Sequence, residues 1–228
     1  MIYVTGDTHG LIDFAKLKRF AKTHRELTKG DYMIILGDFG GVWSPQTLDA
    51  TLAEYEKLPF SVLFIDGNHE NFDMLAKYPI SDWHGGKVQF VKKDIIHLMR
   101  GQVFEIEGKT FFTFGGATSV DKALRTQGFS WWEQELPSMM DYDEACANLK
   151  KHNFKVNYVL THSCDEKSLY MKPLKTPFSY VKVYPENAML TNFEEQIDYD
   201  CWFFGHFHVD GDLTDKKTVL YQDILRIL

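Results

Sequence analysis

Only three cysteines occur in 228 residues, Cys146, Cys164 and Cys201, and no two of them form a Cys-x-x-Cys pair. An odd, scattered set of thiols excludes a disulfide framework and a thiolate zinc knot, and it fits reduced cysteines. No apolar run approaches the roughly 20 residues of a membrane span, which excludes an integral helical membrane protein. The opening Met1-Ile-Tyr-Val-Thr-Gly-Asp-Thr-His9 lacks the basic start and small-residue cleavage site of a secretory signal. The chain is therefore expected to be cytoplasmic and unprocessed. Basic residues are in deficit, 25 Lys+Arg against 32 Asp+Glu, for a formal net charge of −7. That balance argues against coating long nucleic acid, though it leaves room for a nucleotide or a strand end held by a few local groups. There is no internal repeat, low-complexity tract or Ser/Gly/Pro-rich linker. One domain spanning residues 1–228 is expected, long enough to bury roughly 70% of its extended surface.

What the sequence does contain is a recurring unit, a short apolar run that stops abruptly in Gly, Asp, Asn or His. Ile2-Tyr-Val-Thr5 leads into Gly6-Asp7-Thr8-His9, and Tyr32-Met-Ile-Ile-Leu36 into Gly37-Asp38-Phe39-Gly40-Gly41. Ser61-Val-Leu-Phe-Ile65 leads into Gly67-Asn68-His69-Glu70, Tyr158-Val-Leu160 into Thr161-His162, and Cys201-Trp-Phe-Phe204 into Gly205-His206-Phe207-His208. Continuous β-branched and aromatic runs of this kind predict strands buried on both faces. Between them, apolar residues spaced by three or four predict helices over 14–27, 46–57 and 141–152, the first with Asp13 as its N-cap. Strand–helix alternation implies a parallel sheet. Val88 to Gly116 and residues 213–228 read instead as strands joined by turns, which predicts a second, mostly antiparallel sheet facing the first. The expected fold is α/β, a sandwich of two sheets with helices outside.

Ligands of open α/β sheets gather beyond the carboxyl ends of the parallel strands. The five motifs deliver Asp7, His9, Asp38, Asn68, His69, His162, His206 and His208 to that edge. Two carboxylates, one amide and five imidazoles without a thiolate suit a pair of divalent cations such as Mn, Fe, Zn or Ni, with Mn favoured, rather than Ca or Mg. Two cations about 3.5–4 Å apart can hold a hydroxide and clamp a phosphoryl group.

In this order, Gly-Asp-x-His, Gly-Asp-x-x, Gly-Asn-His-Glu, a lone His and Gly-His-x-His resemble the calcineurin-like metallophosphoesterases, over residues 6 to 208. The resemblance implies a four-layer α/β/β/α sandwich with two mixed sheets, a dinuclear metal centre and hydrolysis of small phosphoesters. It implies Asp7, His9 and His208 on one metal, Asp38 bridging, and Asn68, His162 and His206 on the other. His69 would polarise or protonate the leaving oxygen, aided by a carboxylate such as Asp7 or Glu70. The protein Ser/Thr phosphatase branch carries an arginine in its second motif that grips phosphate. Val42 stands at that position here, which tilts the expectation towards small phosphodiesters, phosphorylated metabolites or nucleotides. A protein phosphomonoesterase, a nuclease on strand ends and a non-catalytic metal-binding scaffold are the alternatives.

Elimination among five arginines supplies a replacement grip. Arg19 and Arg25 fall on a helix, Arg100 in a turn and Arg226 in the last strand, so Arg125, with Lys122, is expected to contact substrate phosphate. Trp131 and Trp132 either stack on a nucleobase or anchor a loop. His24, His84, His97 and His152 read as ordinary side chains, with His84 kept as a rim group. Cys164 reads as a small buried thiol, and Lys172–Pro177 as a loop cap.

Overall fold

Residues 1–175 and 182–228 are described by a computed structural model of the chain. The strands are β1 (Ile2–Thr5), β2 (Tyr32–Leu36), β3 (Ser61–Ile65), β4 (Ile80–Trp83), β5 (Gly86–Lys92), β6 (Ile95–Leu98) and β7 (Gln102–Ile106). They continue as β8 (Lys109–Phe114), β9 (Lys155–Thr161), β10 (Asp198–Phe204), β11 (Gly211–Asp212), β12 (Lys217–Val219) and β13 (Ile224–Arg226). The helices are α1 (Ala15–Thr23), α2 (Leu48–Glu56), α3 (Phe72–Leu75), α4 (Met139–Lys151) and α5 (Pro185–Gln196).

Two sheets form, in the orders β13-β1-β2-β3-β6-β5-β4 and β11-β12-β10-β9-β8-β7. Side chains alternate across a strand, so a run such as Met33-Ile34-Ile35-Leu36 must find apolar partners on both faces. It does. Met33 and Ile35 pack outward with Leu17 of α1, Leu52 and Tyr55 of α2 and Leu75 of α3. Ile34 and Leu36 face inward, in a layer that joins Phe104, Phe111, Leu160 and Phe203 of the second sheet. The second sheet's outer face (Phe112, Phe114, Val159, Trp202) packs with Leu149 of α4 and Phe193 of α5. The result is the expected four-layer α/β/β/α sandwich. No helix of the described residues is long and apolar enough to cross a membrane.

Several local expectations are corrected. Val88–Gly116 does not belong to one sheet: β5 and β6 extend the first, whereas β7 and β8 lie in the second. The second sheet is not mostly antiparallel, because β8, β9, β10 and β12 all run parallel. Parallel neighbours need crossover connections. Helix α4 supplies the crossover between β8 and β9, and α5, which its sequence pattern does not announce, supplies that between β9 and β10. The C-terminal residues also split, β12 joining the second sheet and β13 pairing antiparallel with β1 in the first. Asp13 does not cap α1, where Phe14 holds the N-cap position without a side-chain bond. The Lys172–Pro177 cap falls partly outside the described residues.

Candidate active site

Strands β1, β2 and β3 of one sheet, and β9 and β10 of the other, end at the same edge, and each end turns abruptly. Asp7 follows β1, Asp38 follows β2, Asn68 and His69 follow β3, His162 follows β9, and His206 and His208 follow β10. His9, Asp38, His206 and His208 hold left-handed backbone angles, φ +43°, +48°, +70° and +52°. They are four of eight non-glycine residues with such angles among those described. Left-handed backbone is disfavoured for residues with a Cβ. Its concentration here shows a site whose turns are set by the surrounding packing.

Asp38, 1% exposed, sits at the centre. One of its carboxylate oxygens lies 3.2 Å from His9 Nε2 and the other 3.3 Å from His162 Nε2. The His69 amide donates to Asp38 Oδ1 at 2.7 Å. Asp7 lies across from it, its Oδ2 3.1 Å from His208 Nε2 and its Oδ1 accepting the His206 amide at 3.0 Å. Neighbours outside the cluster aim the donors inward. His162 Nδ1 bonds the Leu36 carbonyl at 2.7 Å, which turns Nε2 to Asp38 and to Asn68 Oδ1, 3.1 Å away. His9 Nδ1 bonds Asp13 Oδ2 at 2.8 Å, and this is the work Asp13 does in place of capping. Asn68 donates through Nδ2 to Ser119 Oγ, itself donating to buried Glu135, so the Asn68 oxygen is left for the site.

The donor atoms of Asp7, His9 and His208, of His9, Asp38 and His69, and of Asp38, His162 and His206 fall within 4.8 Å of one another in each trio. Asp7 Oδ2 is buried and makes no hydrogen bond among the described residues, its 3.1 Å approach to His208 Nε2 lacking hydrogen-bond geometry. A buried, unpaired carboxylate oxygen is costly unless a cation faces it. The orphaned oxygen and an all-nitrogen-and-oxygen donor set fit divalent metal.

The histidine pKa shifts follow from the same packing of negative charge. Desolvation would lower the His9 pKa, but Asp38, Asp13 and Asp7 outweigh it and raise it to about 9. Burial likewise opposes, and Asp38 and Asp7 override, at His162, which rises to about 10. At His206 burial, reinforced by the charge of His162, prevails and lowers the pKa to about 4. Raised histidine pKa values stabilise the metal-free fold fully below the unfolded value near 6.5, and that contribution is lost as pH rises through about 9 and 10. Metal must displace these protons, since it takes neutral imidazole. Loading at pH 7.5 is expected to release about two protons per chain. Calorimetry in buffers of different ionisation enthalpy measures this, and loading without release would contradict the protonated His9–His162 pair.

His69 lies beside the cluster, its ring 5.2 Å from that of His9. The two terminal nitrogens of Arg125 lie 3.2 Å from its Nδ1 and its Nε2. The in-plane directions of two imidazole nitrogens diverge, so one planar guanidinium can match both only by stacking on the ring face. Asp121 Oδ1, at 2.7 Å, and the Ser130 carbonyl, at 3.1 Å, hold Arg125 there. Burial first, and then the Arg125, His9 and His162 charges against Asp38, lower the His69 pKa.

Other expected residues stand elsewhere. Glu70, fully buried, spends both carboxylate oxygens on the amides of Phe39 and Gly40, at 2.7 and 3.2 Å. It braces the turn after β2, while Asp7 meets His208 and the His206 amide. Lys122 stacks over Trp131, 3.7 Å from the ring centre, and is not among the residues lining the cavity. Trp132 is buried and donates to Asp73 at 2.8 Å, a loop anchor. His84 is no rim group; it bonds the Glu105 carbonyl at the β4–β5 turn. Cys164 is buried, as expected, and burial pushes its thiol up.

Two residues at the site carry no sequence signal. Lys16 looks like the polar face of α1, yet it is 2% exposed. It donates to the carbonyls of Gly6 at 3.0 Å and Asp7 at 2.8 Å, and to that of Tyr221. Burial, only partly offset by Asp7, Asp13 and Asp210, lowers its pKa to about 8. Trp43 stands 6.3 Å from His69, ring to ring. A cavity of about 610 Å³ opens over Asp38, Asn68, His69, Arg125 and His206.

The calcineurin-like phosphoesterase family model matches residues 1–210. The chain belongs to this family. None of the curated proteins matches it. Among solved structures it is similar to a putative 5'-nucleotidase from Staphylococcus aureus in complex with alpha-ketoglutarate, at 18% identity and a TM-score of 0.49, covering 96% of this chain and 48% of that one. It is also similar to the phosphopantetheinyl hydrolase PptH from Mycobacterium tuberculosis, at 14% identity and a TM-score of 0.45, covering 97% and 89%. The chain thus spans about half the length of the first of these proteins.

Proposed function

We propose that residues 1–228 act as one domain that hydrolyses small phosphoesters at a dinuclear divalent-metal centre, with manganese favoured among Mn, Fe, Zn and Ni. The observation that carries this reading is Asp38, whose two oxygens face His9 on one side and His162 on the other. Asp7, His9 and His208 would hold one cation, Asn68, His162 and His206 the other, and Asp38 both. When bound, such a pair lowers the pKa of water to generate a nucleophile and stabilises charge on the phosphoryl oxygens.

The chain's own groups do the rest. Arg125 lines the cavity and can take two phosphoryl oxygens in a charge-assisted fork, the grip that Val42 does not provide. His69, beside it, polarises the leaving oxygen. Asp121 and Ser130 keep the guanidinium from wandering, and Glu70 fixes the turn that carries Asp38. The cavity has the size of a small-molecule site, which favours small phosphodiesters, phosphorylated metabolites or nucleotides over a protein surface or a duplex.

The test is hydrolysis of p-nitrophenyl phosphate and bis-p-nitrophenyl phosphate in added Mn, with chelator controls. Turnover in Mn that chelation abolishes is expected. His69→Ala should lower kcat about a hundredfold while metal content stays at two per chain. Arg125→Ala should lower kcat/KM by roughly tenfold or more, the worth of a hydrogen bond to a charged group. No metal-dependent turnover of either ester would overturn the reading, and an unchanged kcat/KM in Arg125→Ala would remove its substrate role.

A further inference from the structure

A second cleft, about 640 Å³, opens on the other side of His69 and His9. Its walls are Leu11, Ile12 and Trp43, with Thr47 and Thr51. Among the described residues, not one carboxylate, lysine or arginine lines it. The first cavity, by contrast, is lined by Asp121, Arg125, Lys182 and Glu186. His69 lines both, so the two meet at the residue beside the cluster.

The second cleft is built, not incidental. The Trp43 carbonyl accepts from Asn71 Nδ2 at 2.8 Å, which fixes the backbone. Its ring is met edge-on by Trp132 at 5.6 Å, and Trp132 is itself pinned by Asp73. Leu11 and Ile12 are 45% and 81% exposed, large apolar side chains standing in solvent beside that ring. A fixed indole facing solvated aliphatic side chains is a surface that gains from covering by a flat, uncharged group.

Resting on the phosphoesterase reading above, we propose that this cleft takes one substituent of the phosphoester, and that this substituent is neutral, apolar and ring-bearing. Phosphorus then sits at the cluster, its anionic oxygens towards Arg125, with the aryl or ring-bearing alcohol against Trp43 and Ile12. Among the described residues no guanidinium or ammonium lines the cleft, so a second phosphate on that side would find no Arg or Lys to pair with its charge. The specificity is thus asymmetric: charged towards Arg125, apolar towards Trp43.

Phenyl and 2-naphthyl phosphate test this, since their leaving groups are closely similar in acidity and differ in flat area. With Mn, kcat/KM is expected to favour the naphthyl ester by about tenfold or more. Trp43→Ala should bring the ratio close to one, and so should Ile12→Asp, a substitution at a solvent-exposed position that leaves the core alone. Binding of 2-naphthylmethylphosphonate against methylphosphonate to the Mn-loaded protein gives the same comparison without turnover. A ratio near one in the wild type, or a preference that both variants keep, overturns the cleft assignment. Preferential binding of the naphthyl phosphonate without hydrolysis of either ester sustains the cleft and overturns the hydrolase reading instead.

Discussion

Asp38→Asn is expected to impair hydrolysis severely and to weaken metal retention with it, while leaving the fold intact. The amide has the carboxylate's shape, so the layers around β2 keep their packing and the His69 amide still meets an oxygen. What disappears is the charge shared between His9 and His162. Burial pushes the Asp38 carboxyl up, yet His162 and His9 overcome this and hold it well below the usual carboxylate range. The ionised form is therefore the one the site is built around. An amide oxygen is a poor bridge between two cations, and activity should fall by roughly a thousandfold, about 4 kcal/mol of transition-state stabilisation. Metal analysis should find fewer than two ions per chain. The proton release on loading should shrink as well, because His9 and His162 lose the partner that keeps them charged. A variant with two bound metals and wild-type kcat would show that Asp38 does not link the two halves of the site.

The edge where the site lies can be read from the sequence because each apolar run stops at the residue where chemistry begins. A run buried on both faces admits no polar group, so Gly6, Gly37, Gly67 and Gly205 mark both strand end and site. Which sheet each strand joins cannot be read that way. The apolar demands of β9 and β10 are the same in either sheet, and only α5 reveals that they are connected by crossovers. Side-chain direction was equally hidden. Glu70 follows His69 directly but points into the turn after β2, and Lys122, three residues from Arg125, folds back on Trp131. Arg125 could be singled out because arginine is scarce. Trp43 and Lys16 could not, because their importance comes from what α2, Trp132 and the C-terminal residues bring beside them.

Gly67→Ala should damage the site more than loss of its single hydrogen atom suggests, although it removes no ligand. A Cβ at this position would overlap Asp38 Oδ1 and the Asp38 backbone nitrogen, and would stand 2.9 Å from Asp38 Cγ. These are backbone and a centrally held carboxylate, not the loose end of a side chain. Nor can the turn slide away, because β2 and β3 are paired as far as Leu36 and Ile65, immediately before it. Relief must come from displacing Asp38, and with it the distances to His9 and His162. Overpacking of this kind destabilises by about 1–3 kcal/mol. For a chain of this length that corresponds to a fall in Tm of roughly 3–10 °C. Activity is expected to fall about a hundredfold, as when a reacting geometry is misplaced by an ångström. Gly30→Ala is the control, since only Thr28 Oγ1, at 3.5 Å, approaches a Cβ there and its backbone is not left-handed. That variant should keep wild-type kcat and melt no lower than the parent. If Gly67→Ala instead retained full activity and two metals, the turns after β2 and β3 would have to adjust independently, and the close approach of Gly67 to Asp38 would not be what sets the site.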